Sequence, residues 1–174
     1  MDRIRQLIDR AIEGDEGAAR ELVRHAQPAV WRLCHLLGSG EDVEDLVQET
    51  FLRALRSLAG YRGDGRGFVP WVLAVARNAC ATEVSRRMRR RALLERLQAV
   101  RGAEESYGLD EHATVESMVR VLPREQREAF VLTQFLGLSY EESAAICGCP
   151  VGTIRSRVAR ARTALLAQLQ QRCS

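Results

Sequence analysis

Four arginines, Arg155, Arg157, Arg160 and Arg162, stand in a run from Val151 to Leu166 that contains no acid. A planar guanidinium bonds phosphates and guanine edges through two parallel donors, so an uncompensated set on one short element implies nucleic acid. At a helical period, Ile154, Val158, Ala161 and Leu165 make one narrow apolar stripe that must face a core. Gly152, Ser156, Ala159, Arg160 and Thr163 fall opposite, with Arg155 and Arg157 on the flanks. Small residues between arginines let a helix lie deep in a major groove. Arg155, Ser156, Arg157 and Arg160 are therefore candidate contacts to duplex DNA, and Thr153 is added to them as a further candidate.

A second set lies upstream. Trp71, Asn78, Thr82, Ser85 and Arg89 follow one side of a helix, while Leu73, Ala76, Cys80 and Val84 follow another and should pack inward. An aromatic ring, an amide, hydroxyls and an arginine on one face suit stacking on unpaired bases and bonding to their edges. The cluster Arg86, Arg87, Arg89, Arg90 and Arg91 would hold phosphates and make binding salt-dependent. Trp71, beside a loop, is expected to be partly core.

A third set has the opposite sign. Val43, Val47, Thr50, Ala54 and Leu58 share a buried stripe, with Leu46 beside it; Asp45, Gln48, Glu49, Leu52 and Arg56 stand outward. A leucine ringed by Asp, Gln and Glu is either a scattered surface residue or an apolar anchor inside a charged rim. The segment 41–51 holds five acids, so a partner here would be basic and would not be DNA.

The elements that must position these sets read as helical almost throughout. Ile4, Leu7, Ile8, Ala11 and Ile12 form a short amphipathic helix ended by Gly14, and Asp15 can cap a second that runs to about Leu37 with a kink at Pro28. A third covers roughly 41–58. Gly60, Gly63, Gly65, Gly67 and Pro70 make a loop, followed by a helix from about Trp71 to Arg90 or beyond. Helical pattern resumes near Thr114, breaks at Pro123 and continues to Gly137. Ser139 and Glu142 have capping-box spacing, Cys147-Gly148-Cys149-Pro150 is a turn, and the next helix starts near Val151, so about Tyr140 to Ala159 reads as a helix-turn-helix. The fold expected is all-α: a domain over 1–97, a flexible linker over 98–112, and a second domain over 113–174.

Charge follows the same division. The net charge of the 174 residues is +3, yet residues 1–58 carry −3, 59–101 carry +7, 102–150 carry −6 and 151–174 carry +5. Two basic surfaces and a surface for something else follow. All 26 basic residues are arginine, a bias that a GC-rich genome explains without function. Five cysteines include no CxxC pair, which argues for reduced, packed thiols rather than zinc. His25, His35 and His112 lie on different segments and no phosphate-binding loop occurs, so no enzyme chemistry, metal or cofactor is indicated. No apolar leader and no membrane-spanning run is present, so a cytoplasmic location is expected.

With both basic helices and the acidic one in place, the chain resembles a bacterial extracytoplasmic-function (ECF) sigma factor of the sigma-70 family, from about Asp15 to Leu169 except the linker. DLVQETFLRAL (Asp45 to Leu55) resembles region 2.2, FVPWVLAVARNACATEVSRRMRR (Phe68 to Arg90) regions 2.3 and 2.4, and the stretch from Leu122 to Arg162 region 4. The wording LTQFLGLSYEESAAICGCPVGTIRSRVARAR is similar to the actinobacterial sigma-C-like subgroup. The resemblance implies a promoter-specificity subunit without catalysis of its own. Asp45, Gln48, Glu49 and Leu52 would bind core RNA polymerase at its β′ clamp helices, with the β flap a further contact of the core. Trp71, Asn78, Thr82, Ser85, Arg86 and Arg89 would bind the opened −10 strand, with Asn78 lining the pocket for an extruded base. Arg155, Ser156 and Arg160 match positions facing the −35 duplex. An anti-sigma factor is implied as a further partner, and the acidic linker (Glu104, Glu105, Asp110, Glu111) would thread a positively charged polymerase channel. Two departures stand out: Thr82 replaces a frequent acid, and the loop 63–67 is unusually rich in glycine. A freestanding repressor or activator of the helix-turn-helix class would use the C-terminal module but leave the acidic helix and the Trp71–Arg91 region unexplained.

Overall fold

The computed structural model describes residues 2–38, 43–63, 67–98 and 115–172. No strand occurs among them. The expected linker, apart from its first residue, lies outside this set, as do the loop residues 64–66 and the acids at 41 and 42.

Helix α1 (Asp2–Ile12) buries Leu7 and Ile8 and ends at Gly14, whose φ of +96° favours a residue without Cβ. Asp15 then caps α2 (Glu16–Leu37) by accepting the Ala18 N–H at 3.0 Å. That bond, and then the Arg10 guanidinium, hold its carboxyl below the usual range. The second helix is continuous through Pro28, which sits on its exposed side. Helix α3 (Val43–Ser57) buries Leu46, Val47, Thr50, Phe51 and Ala54, and a single 3₁₀ turn at Leu58–Gly60 follows. Thr50 is fully enclosed because its hydroxyl donates to the Leu46 carbonyl at 2.7 Å.

Helix α4 (Phe68–Gln98) starts three residues before the expected Trp71. Pro70 falls in its first turn, where a missing N–H breaks no helical bond. Leu73, Ala76 and Cys80 are buried as the period requires, and α4 packs on α2 and α3. Fully buried side chains such as Leu33 and Leu73 contribute about 1.5–3 kcal/mol each through loss of wetted apolar area. Cys34 and Cys80 meet in this core with their sulfurs 3.9 Å apart.

The C-terminal half holds α5 (Val115–Val121), α6 (Arg124–Phe130), α7 (Tyr140–Cys147) and α8 (Val151–Arg172). Between α6 and α7 the chain widens into a π-helical turn, Val131–Phe135, where the periodicity predicts an unbroken α-helix. The Leu136 N–H reaches back five residues to the Val131 carbonyl at 3.1 Å, and Val131 and Leu132 fill the core beneath.

The two halves pack together. Helix α4 lies against α7, and α2 touches α5, α6 and the π turn. Buried residues of both halves join one contiguous apolar cluster that includes Leu36, Leu37, Met118, Val119 and Leu122.

Candidate nucleic-acid interface

The helix-turn-helix is built by local bonds. Ser139 Oγ accepts the Glu142 N–H at 3.0 Å, and the Glu142 carboxylate accepts the Ser139 N–H at 2.8 Å, closing the capping box. Gly148 takes the left-handed conformation, with φ +64° and ψ +37°, and stops α7. The Cys149 N–H returns to the Ala144 carbonyl at 3.1 Å, and the Thr153 N–H finds the Pro150 carbonyl at 2.9 Å to open α8. Ala129, Ala144, Ile154 and Val158 form the small core that clamps the two helices.

The outer face of α8 is as the spacing requires: Gly152, Arg155, Ser156, Ala159, Arg160 and Thr163 are all exposed. Arg155 lies over the Tyr140 ring at 6.0 Å from its centroid, which steadies it without neutralising it. Arg160 makes no hydrogen bond or ion pair among the described residues. Arg157 is placed differently from the expectation. Its side chain is drawn back to Glu125 of α6 at 2.6 Å and touches the Cys149 sulfur at 3.6 Å. Thr153 is half-buried. Of the five residues singled out, Arg155, Ser156 and Arg160 are presented outward, whereas Arg157 and Thr153 also brace the module.

On α4, Asn78, Thr82, Ser85, Arg86 and Arg89 share an exposed face. The hydroxyls of Thr82 and Ser85 donate to the Asn78 and Ala81 carbonyls, each at 2.9 Å, so what they offer outward is acceptor lone pairs. Trp71 is half-buried, with Tyr61 and Phe68 at centroid distances of 5.2 and 5.9 Å. A cleft of about 590 Å³ opens beside this trio, lined by Arg5, His25, Tyr61, Phe68 and Pro70 among others.

On α3, Asp45, Gln48 and Leu52 are exposed, Leu52 by 50%, and Glu49 is held by Arg53 at 2.6 Å. A groove of about 430 Å³ brings this face and the α4 face together: Asp45, Gln48, Glu49 and Leu52 line one wall, Thr82, Glu83 and Arg86 the other.

Sequence reasoning missed the contacts between the halves. Arg77 of α4 donates to Glu128 of α6 at 2.8 Å, and Arg124 holds the other carboxylate oxygen at 2.8 Å. The Glu128 side chain is only 4% exposed. Burial works against the Arg77 charge, but the Glu128 carboxylate outweighs it and holds the guanidinium above its ordinary range. Arg120 donates to the His35 carbonyl at 3.1 Å, and Arg32 to the Phe135 carbonyl at 3.4 Å. The spacing of four residues between Arg124 and Glu128 was readable in the sequence, but Arg77 on a distant helix was not.

The four described cysteines are free thiols. Cys34 and Cys80 are buried, Cys147 and Cys149 half-buried. Burial pushes the Cys147 thiol up to about 11. Among the described residues no group of three or more His, Cys, Asp or Glu side chains is placed to hold a metal, and no described helix is long and apolar enough to cross a membrane.

Two helical modules, each with an arginine-bearing outer face and one with an acidic face as well, have the arrangement of a helical nucleic-acid-binding protein. Comparison with known proteins makes the assignment specific. The family description "Sigma-70 region 2" matches residues 22–90, and "Sigma-70, region 4" matches residues 112–165. The chain is 41% identical over 171 residues to the ECF RNA polymerase sigma factor SigC of Mycobacterium tuberculosis, covering 92% of this chain and 88% of that one. It is 34% identical to the ECF RNA polymerase sigma-E factor of Escherichia coli, over 91% of this chain and 90% of the other. The solved structure of CnrH in complex with the cytosolic domain of CnrY superposes with a TM-score of 0.73 at 31% identity, covering 96% and 97% of the two chains. The sigma factor RpoE of Bartonella quintana, solved with the anti-sigma factor NepR, gives 0.67 at 30% identity, covering 87% of this chain and 96% of that one. The chain belongs to the sigma-70 family, among the ECF RNA polymerase sigma factors, and its function is promoter-directed initiation of transcription.

Proposed function

We propose a division of labour among the three faces. The α3 face docks on core RNA polymerase, with Leu52 as the apolar anchor and Asp45, Gln48 and Glu49 as its charged rim. The outer face of α8 sets register on the −35 duplex through Arg155, Ser156 and Arg160. The α4 face, with Trp71 at its start and Asn78, Thr82, Ser85, Arg86 and Arg89 along it, holds the opened −10 strand. Binding of an unstacked base offsets part of the strand-opening cost, which is a few kcal/mol per extruded nucleotide. The chain does no catalysis of its own and acts in the cytoplasm, where its polymerase is. An anti-sigma factor is a partner by analogy with RpoE of Bartonella quintana, solved in complex with the anti-sigma factor NepR.

The observation that carries this reading is the match in sequence over nearly the whole chain, joined to a geometry in which Asp45, Gln48, Leu52, Asn78, Arg89, Arg155 and Arg160 are exposed. Run-off transcription with purified core enzyme and a promoter library tests it. The chain should direct discrete start sites, and Asp45→Arg combined with Leu52→Ala should abolish co-purification with core while leaving the helical content intact. Retained co-purification contradicts the role given to α3.

A further inference from the structure

Cys34 of α2 and Cys80 of α4 are enclosed in the core of the N-terminal half, 0% and 2% exposed. Their sulfurs lie 3.9 Å apart, and the Cys80 thiol donates to the Cys34 sulfur. The two residues are 46 positions apart in the chain, so the packing of α2 on α4 alone creates this contact. The donated bond makes the pair unequal. It holds the Cys34 thiol below its ordinary range despite burial, and together with burial it pushes the Cys80 thiol well up. One sulfur is thereby the readier nucleophile, and the other keeps a proton to give. Neither thiol belongs to the three faces assigned above.

We propose that Cys34 and Cys80 are a reversible redox pair, which a peroxide closes to a disulfide stitching α2 to α4. The Cys34 thiolate attacks one oxygen of hydrogen peroxide and the O–O bond breaks. The departing oxygen leaves as water, carrying the proton that the Cys34 thiol gave up. The Cys80 sulfur then attacks the new sulfenic acid at its sulfur, and the S–O bond breaks. The hydroxyl leaves with the Cys80 proton as a second water, so two thiols and one peroxide give one disulfide and two waters. The sulfurs have to close from 3.9 Å to about 2.05 Å, and each swings on a rotatable Cα–Cβ bond. Hydrogen peroxide is small and uncharged and reaches the pair through local opening of the helix packing. In a reducing compartment such a pair rests as the dithiol and closes under oxidant.

The test adds hydrogen peroxide to the full folded chain, alkylates the remaining thiols under denaturing conditions and reads the digest by mass spectrometry. The Cys34 and Cys80 peptides should appear joined, two hydrogens lighter than their sum, and dithiothreitol should separate them. Cys147→Ala with Cys149→Ala should leave the joined species in place. Cys80→Ala should abolish it and leave Cys34 as a sulfenic acid that dimedone traps. Cys34 and Cys80 both still alkylatable after peroxide, or bonded only to other cysteines, overturns the proposal. The same treatment in concentrated urea should scatter the pairings, and a Cys34–Cys80 share no greater in the folded chain than there overturns it as well. The crosslink restricts the unfolded chain, so the oxidised protein should unfold at a higher urea concentration than the reduced one. An unchanged or lower midpoint refutes the stitch between the helices. The wild-type arms decide the matter even where a cysteine variant fails to fold.

Discussion

The two arginine-bearing helices carry similar chemistry in opposite states of readiness. On α8 the outer arginines are unopposed: Arg160 has no partner among the described residues and Arg155 rests on an aromatic ring. On α4, Arg86 and Arg87 are tied down by Glu83 and Arg77 by Glu128 of the other half, while Arg89 is bonded, among the described residues, to the Ser85 carbonyl alone. The difference suits the two substrates proposed for these faces. Duplex DNA offers a fixed groove that a preset face can enter, whereas an opened strand exists only after melting, and cations waiting for it would bind any single strand meanwhile.

The contrast can be broken most forcefully at Glu128. Glu128→Ala leaves Arg77 and Arg124 without their shared carboxylate in a largely dry site, and should lower stability by about 3 kcal/mol in urea denaturation. A loss near zero would mean that the two halves do not depend on this pair. Arg160→Ala should weaken holoenzyme binding to a cognate −35 duplex by about 1–3 kcal/mol, with little change in melting temperature. Arg157→Ala sharpens the comparison within α8: because its guanidinium is bonded to Glu125, the variant should lose stability more than −35 discrimination, the reverse of Arg160→Ala. Ser139→Ala removes the cap that aligns the first helix of the motif and should cost about 1 kcal/mol in thermal or urea unfolding.

The smallest expected effect depends on pH. Burial raises the Cys147 thiol in the folded chain to about 11 from an unfolded value near 9.0. The unfolded chain therefore loses this proton first. The associated stability is complete below about pH 9 and declines as pH rises towards 11. Cys147→Ala should show a shallower fall in melting temperature across that window than the wild type, and identical slopes would count against burial of this thiol.

Much of the fold is legible in the sequence because it is local. The Ser139 box, the Gly148 stop and the Ile154–Leu165 stripe depend on bonds and periods within a few residues, and all three stand as read. The outward faces of α3 and α4 follow from the same period. Three things were not legible. The π turn at Val131–Phe135 preserves the apolar sequence of an α-helix while shifting its register, so periodicity alone does not reveal it. The retraction of Arg157 depends on where Glu125 lies in space. The Arg77–Glu128 pair joins residues 51 positions apart, and only the packing of one half on the other brings them together. Glu83 lies between these cases. Its spacing of three and four residues from Arg86 and Arg87 was readable, but its place in the groove beside α3 was not.

The central claim is that α8 reads the paired element and α4 the opened one, independently. It is tested most directly by promoter discrimination of holoenzymes carrying Arg160→Ala or Asn78→Ala, measured on templates with either the −35 or the −10 element scrambled. Arg160→Ala should lose its preference for the cognate −35 while keeping its preference at −10, and Asn78→Ala should do the reverse. Either variant losing discrimination at both elements, or at the opposite one, contradicts the account.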